Sequence, residues 1–294
     1  MINLNDQQKA AIHGMSEFCS SNESLFVLEG SAGTGKTTCI QHLAKQRDDL
    51  DFAFCAPTNK ATKVLREMGQ REGMEEVECR TIYSMLGLRV QKDSEFVRVE
   101  PLAESDAGQY HVVVVDEGSM VNKMLMSFIY EASVNLKTKF IFMGDRYQLP
   151  PVGEEESECF AIPNRAVLTK VERHDNQILT LATHIRDCIK SGEYPTLRAN
   201  HDESGGVWTA DHRVMCKHLI KAYTSENYLV DTNTCKTIAW RNSTVFGFNE
   251  IIRDAIYKEA YAEEVVGVVC RRGTSGGYSP HPCTRGRRAV LHGD

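Results

Sequence analysis

The chain has no apolar run near the roughly 20 residues that cross a bilayer. Its opening residues, Met1-Ile2-Asn3-Leu4-Asn5-Asp6, carry neither the basic start nor the apolar centre of a secretory leader. Its ten cysteines include no Cys-x-x-Cys pair, which argues against a zinc site or a disulfide framework. The expectation is reduced thiols, a cytoplasmic setting and no membrane partner. No internal repeat or low-complexity tract is evident. Basic excess is missing too: the formal net charge is −6, which counts mildly against nucleic-acid binding but does not exclude a narrow basic channel. What is present, 41% hydrophobic and 25% charged residues over 294 positions, fits an ordinary globular protein of about two domains.

Against that plain background stands Gly30-Ser31-Ala32-Gly33-Thr34-Gly35-Lys36-Thr37, which fits G-x-x-x-x-G-K-[ST]. Leu25–Leu28 before it reads as a buried strand, and Thr38–Lys45 after it reads as a helix. Strand, glycine loop and helix together predict a phosphate-binding loop, because loop and helix N-terminal N–H groups converge on the phosphates. Gly30 through Thr38 is the predicted nucleotide cradle. Lys36 would bring a point charge to the β- and γ-phosphates, and the Thr37 hydroxyl would ligate Mg²⁺.

Three more short apolar runs, Phe52–Ala56, Val112–Val115 and Phe140–Met143, read as buried parallel strands. Helical stretches at Asn59–Met68 and Lys123–Ala132 fall between them. The alternation predicts a doubly wound α/β sheet, with ligands at the carboxyl ends of its strands. Arg89–Gln91 and Phe96–Val99 alternate around Lys92-Asp93-Ser94 and predict a small hairpin within 88–110. Beyond a boundary near Arg173–Gln177, strands are expected at Thr237–Trp240 and Val265–Cys270, around a helix at Asn249–Glu259. From Gly267 on, breakers dominate, and the tail is expected to be loop-rich. Trp208 and Trp240 are expected to pack in a core rather than to stack on bases.

His111-Val112-Val113-Val114-Val115-Asp116-Glu117 is an apolar strand ending in two acids. After a phosphate-binding loop this is a Walker B arrangement: Asp116 would hold Mg²⁺ and Glu117 would polarise the attacking water. Asp116-Glu117-Gly118-Ser119-Met120 resembles motif II of superfamily 1 helicases. Gly144-Asp145-Arg146-Tyr147-Gln148-Leu149-Pro150-Pro151-Val152 is similar to their motif III, G-D-x-x-Q-L-P-P-V. Ala56–Thr62 resembles motif Ia, Arg80–Ser84 motif Ib, and Leu4–Ala11 the Q motif. Order and spacing resemble those of the 1B branch, the RecD-like and phage Dda-like 5′→3′ DNA helicases.

That resemblance implies a P-loop RecA-like parallel sheet with flanking helices, plus a partial second RecA-like domain. It places the ATP-binding motor domain at 1–175 and the partial second motor domain at 176–294. Gln8 would bond the adenine edge, Gln148 would sense the γ-phosphate, and Arg173 would face it with a bidentate cation. Pro57, Thr58, Asn59, Thr81 and Ser84 would line a single-stranded DNA path, with Phe96 a candidate wedge on the hairpin. ATP and Mg²⁺ are the implied cofactors. Single-stranded DNA, and replication or recombination proteins, are the implied partners of a monomer.

The family's T-x-H-x-x-Q-G segment is absent, and Thr284-Arg285-Gly286-Arg287 is a poor match to its last motif. The expectation is therefore a C-terminally incomplete motor, with slow hydrolysis and little unwinding. The alternative is a nucleotide-gated DNA-binding module without useful turnover.

Overall fold

Strands that are apolar on both faces can sit only in the middle of a covered sheet, and four such strands make the centre of this one. The computed structural model describes residues 4–71, 77–92, 97–172, 177–202, 205–239 and 241–262. The chain divides into two compact units, Met1–Pro195 and Thr196–Asp294.

The first unit runs α1 (Asp6–Ser20), β1 (Leu25–Gly30), α2 (Lys36–Gln46), β2 (Phe52–Ala56), α3 (Asn59–Arg71), β3 (Glu78–Thr81) and the short α4 (Ile82–Met85). The hairpin strands β4 (Leu88–Lys92) and β5 (Val97–Pro101) follow, then β6 (Val112–Val115), α5 (Lys123–Asn135), β7 (Lys139–Gly144), β8 (Arg165–Leu168) and α6 (Gln177–Ser191). Six strands pair in parallel in the order β3-β2-β6-β7-β1-β8. The expected α/β sheet is therefore present, with the four anticipated strands as its interior.

Alternation within these strands sends side chains to two cores. Val112 and Val114 join Met15, Phe18, Ile40 and Leu43 from α1 and α2 on one face. Val113 and Val115 join Leu125 and Ile129 from α5 on the other, with Phe140 and Phe142 of β7. Each of these side chains is buried, worth about 1.5–3 kcal/mol apiece in water-excluded area. Helix α1 starts at a capping box in which Asn5 and Gln8 exchange bonds, so both residues are fixed before the first turn closes. The edges of the sheet, β3 and β8, follow no apolar run. They carry Glu78 and Arg165 toward solvent, and neither has the four-residue apolar run by which the interior strands are recognised.

The second unit contains the hairpin β9 (Asn200–Asp202) and β10 (Gly205–Val207), then α7 (His212–Tyr223), α8 (Glu226–Val230) and α9 (Asn242–Ala262). Phe248 of α9 stacks on His212 of α7, ring centroids 5.9 Å apart. The strand expected at Thr237–Trp240 is not formed: Thr237–Ala239 has no ladder partner, and Trp240 lies outside the described residues. Val265–Cys270 and the tail also lie outside them. Trp208 corrects another expectation. It is 62% exposed and stacked on His201 at 5.2 Å instead of being packed in a core. Among the described residues the cysteines are free thiols, and no helix is long and apolar enough to cross a membrane.

Candidate active site

The glycine loop lies between the end of β1 and the start of α2, at the carboxyl edge of the sheet. Gly35 is the N-cap of α2 with φ +87°, a left-handed conformation that costs a side-chain-bearing residue about 1 kcal/mol or more. A Cβ there would also collide with the Gln8 amide nitrogen. The loop is braced from three sides. Thr34 donates its hydroxyl to the Ser31 carbonyl at 2.9 Å, Gln8 Nε2 donates to the Thr34 carbonyl at 3.1 Å, and the Glu172 N–H donates to the Gly33 carbonyl at 2.9 Å. Lys36 Nζ donates to the Gly30 and Ser31 carbonyls at 2.7 and 3.1 Å, so the ammonium is folded into the loop. Burial pushes the Lys36 pKa down, and the nearby charges of Asp116, Asp145 and Glu117 oppose that shift. Ser31, Gly33, Thr37 and Thr38 are partly exposed, and Ala32 is exposed.

Gln8 is 5% exposed, and both ends of its amide are engaged: Oε1 accepts from the Asn5 N–H at 3.0 Å while Nε2 holds Thr34. It acts here as a strut beneath the loop. Its neighbour Gln7 accepts from the Thr169 and Lys170 N–H groups, binding α1 to the segment after β8.

Asp116 follows β6, and Glu117 takes φ 55°, ψ 43°, a left-handed conformation rare for a glutamate. Such strain concentrates at working sites, where it aims a side chain that a relaxed turn would misdirect. Asp116 Oδ1 accepts the Glu117 N–H at 2.8 Å. Burial raises the pKa of Asp116; burial first, and then the Asp116 charge, raise that of Glu117. Two adjacent, partly buried carboxylates held above their usual range form a place where a cation is favoured. A hydroxyl on Thr37 and a hard carboxylate oxygen on Asp116 suit Mg²⁺, so the residues present fit the ion the motif implies.

Behind this turn the backbone is close-packed. A Cβ on Gly144 would lie 3.3 Å from the Gly118 and Ser119 nitrogens and 3.1 Å from the Phe160 ring. The residues after Gly144 form a turn in which the Gln148 N–H donates to the Asp145 carbonyl at 3.0 Å. Two arginines tie this turn down. Arg146 makes a fork with Glu29 of β1, 2.6 and 3.1 Å, beneath the glycine loop. Arg186 of α6 donates to Asp145 Oδ2 at 2.5 Å and covers the Tyr147 ring at 4.5 Å. Asp145 and Arg146 fall within the motif III segment, whereas Glu29 and Arg186 do not stand out as functional in the sequence. The one signal was Glu29 itself, a charge inside an otherwise apolar strand.

Gln148 is exposed at the tip of that turn. Pro57 and Thr58 follow β2, Thr81 ends β3, and the register Ala56↔Thr81 sets them side by side at the same carboxyl edge. The Thr58 hydroxyl accepts from the Ala61 N–H, and that of Thr81 from the Ser84 N–H, so both cap helices. Asn59 and Ser84 are exposed there. Arg173 and Phe96 lie outside the described residues.

A family model described as AAA domain matches residues 3–204. The chain is 27% identical over 285 residues to an uncharacterized protein of Acanthamoeba polyphaga mimivirus, covering 87% of this chain and 57% of the relative. It is 24% identical over 276 residues to the ATP-dependent DNA helicase dda of Enterobacteria phage T4, covering 90% and 60%. A crystal structure of Bacteroides sp Pif1 in complex with ADP-AlF4 superposes with TM-score 0.46 and 18% identity, over 76% of this chain and 52% of that one. The chain thus spans about three fifths of the length of these two curated relatives.

Proposed function

Because the chain belongs to the AAA domain family and carries the motif set of the superfamily 1B helicases, we propose that it is an ATP-hydrolysing motor acting on single-stranded DNA. The observation that carries this reading is the gathering of Lys36, Asp116, Glu117 and the Asp145–Gln148 turn at one carboxyl edge. There Lys36 is charge-coupled to all three acids. In use, Lys36 turns from the loop carbonyls to the phosphates, and the loop N–H groups take up their negative charge. Glu117, aimed by its left-handed backbone, holds a proton-accepting oxygen for the attacking water. Mg²⁺, held by Thr37 and Asp116, would neutralise phosphate charge.

Gln148, on a turn anchored to β1 by Arg146, is proposed to report the γ-phosphate to the edge that carries Pro57, Thr58, Asn59, Thr81 and Ser84, the proposed strand path. The adenine contact proposed for Gln8 uses capacity left on an amide already bonded to the loop. Arg173 and Phe96 remain proposed as the γ-phosphate arginine and the wedge, and 5′→3′ as the direction. Residues 176–294 are proposed as part of a second motor domain. Hydrolysis and unwinding by these 294 residues acting alone are proposed to be slow, because they hold no T-x-H-x-x-Q-G segment of the family.

A second reading, a nucleotide-gated DNA-binding module, is favoured by one observation. Among the described residues of the second unit only Phe248 and Ile252 are buried hydrophobics, a thin core for a domain that must open and close. ATP hydrolysis with and without single-stranded DNA tests both, with Lys36→Ala as the blank. DNA-stimulated turnover that Glu117→Gln removes supports the motor. Nucleotide binding without turnover in the parent chain leaves the module.

A further inference from the structure

The Arg186 guanidinium belongs to no motif, yet it lies among the charges of the nucleotide site. Its partner Asp145 directly follows Gly144, and Gly144 pairs in register with Glu29, the residue before the glycine loop begins. The Arg186–Asp145 pair is therefore at the carboxyl edge, one strand from the loop. The Asp145 side chain is 6% exposed and that of Arg186 is 23% exposed. The Arg186 guanidinium carbon lies over the Tyr147 ring, 4.5 Å from its centroid, a cation–π contact that helps hold the side chain in place. Asp145 is itself held, its Oδ1 accepting the Tyr147 N–H at 3.1 Å. A carboxylate so placed would repel the phosphates of a bound nucleotide. A planar fork held by one nitrogen on that carboxylate cancels the charge and can serve a second anion at the same time.

We propose that Arg186 is a nucleotide-binding residue that bridges Asp145 to the outermost phosphate of a bound nucleoside triphosphate. The bridge ties helix α6 to the occupancy of the site. The charge of Arg186 already reaches Lys36, as expected for a cation near the same phosphates. The inference rests on the reading of the site as an ATP site. A bridge to the last phosphate distinguishes triphosphate from diphosphate, whereas a purely structural clamp on Asp145 affects both alike.

The test is equilibrium binding of a fluorescent non-hydrolysable ATP analogue and of fluorescent ADP to the full chain. Arg186→Ala should weaken the triphosphate about 10-fold or more, a loss of about 1.4 kcal/mol, and ADP less than about 2-fold. Arg186→Lys keeps a charge on Asp145 but loses the fork, and should fall between. This second variant serves if Arg186→Ala does not fold. The double variant D145N/R186A should remain weak for the triphosphate. Equal losses for both nucleotides, no loss, or recovery in the double variant would overturn the bridge, the last by showing that Arg186 only cancels Asp145. Failure of the parent chain to bind either nucleotide, matching Lys36→Ala, would instead overturn the ATP reading, and the bridge with it.

Discussion

Arg146→Ala is the most informative single change for stability. The Glu29 side chain is 8% exposed and sits under the glycine loop; Arg146, 28% exposed, holds both its oxygens. Removing the arginine strands a buried carboxylate whose nearest remaining cation, Arg165, is 4.0 Å away. Breaking a fully buried pair costs about 3–5 kcal/mol; the exposure of Arg146 and the residual Arg165 contact bring the figure here to about 2–3 kcal/mol. For a unit of this size each kcal/mol moves Tm by about 2–4 °C, so a fall of about 4–12 °C is expected. Urea and thermal unfolding of the parent, Arg146→Ala, Glu29→Gln and the double variant read it out. Glu29→Gln removes the stranded charge, so the double variant should regain at least half of the loss. A fall below about 2 °C in Arg146→Ala, or a double variant as unstable as Arg146→Ala alone, would refute the reasoning.

Asp116→Asn should raise the Tm of the nucleotide-free protein. Burial holds the Asp116 pKa up, so the folded state binds this proton more tightly than the unfolded chain. The associated stability is full below the ordinary Asp value of about 3.9 and is lost as pH rises through the raised one. The gain from Asn should therefore be smallest below the ordinary Asp value and grow as pH rises through the raised one, and a pH-independent difference would contradict it. Gly35→Ala should cost both stability and at least about 10-fold in nucleotide affinity, since φ +87° and the Gln8 amide leave its methyl no place; unchanged titration with fluorescent ADP would exclude this. Asn5→Ala should cost about 1 kcal/mol through loss of the helix cap, and should also weaken nucleotide binding, because the same cap fixes Gln8 against Thr34. Normal affinity in a destabilised Asn5→Ala protein would separate the two roles.

The glycine loop, the paired acids and the motif III turn were legible because local sequence writes them: spacing, glycine and a strand ending in carboxylates. The interior strands were legible because burial on both faces gives unbroken runs such as Val112–Val115. The edge strands were not, since most residues of β3 and β8 are exposed or only partly buried and they take their strand character from β2 and β1. Distance along the chain hid the supports of the site. Glu29 and Arg146 are separated by 117 residues, and Asp145 and Arg186 by 41. Their pairing becomes visible only when the fold brings Glu29 and Arg186 beside Arg146 and Asp145 of the motif III turn. The Gln8 position was predicted from its motif, but its place in a capping box becomes visible only when Asn5 is seen as the N-cap.

The contact between Gly118 and Gly144 has a consequence for how this chain can vary. A methyl group on Gly144 would sit 3.3 Å from the nitrogens of the acid-bearing turn, tighter than ordinary van der Waals contact, so re-shaping either loop there asks the other to give way by a few tenths of an ångström. A side chain added at either glycine therefore calls for a matching shift in the other segment. Variants recombined between the two segments from divergent relatives should fail more often than variants that exchange both together.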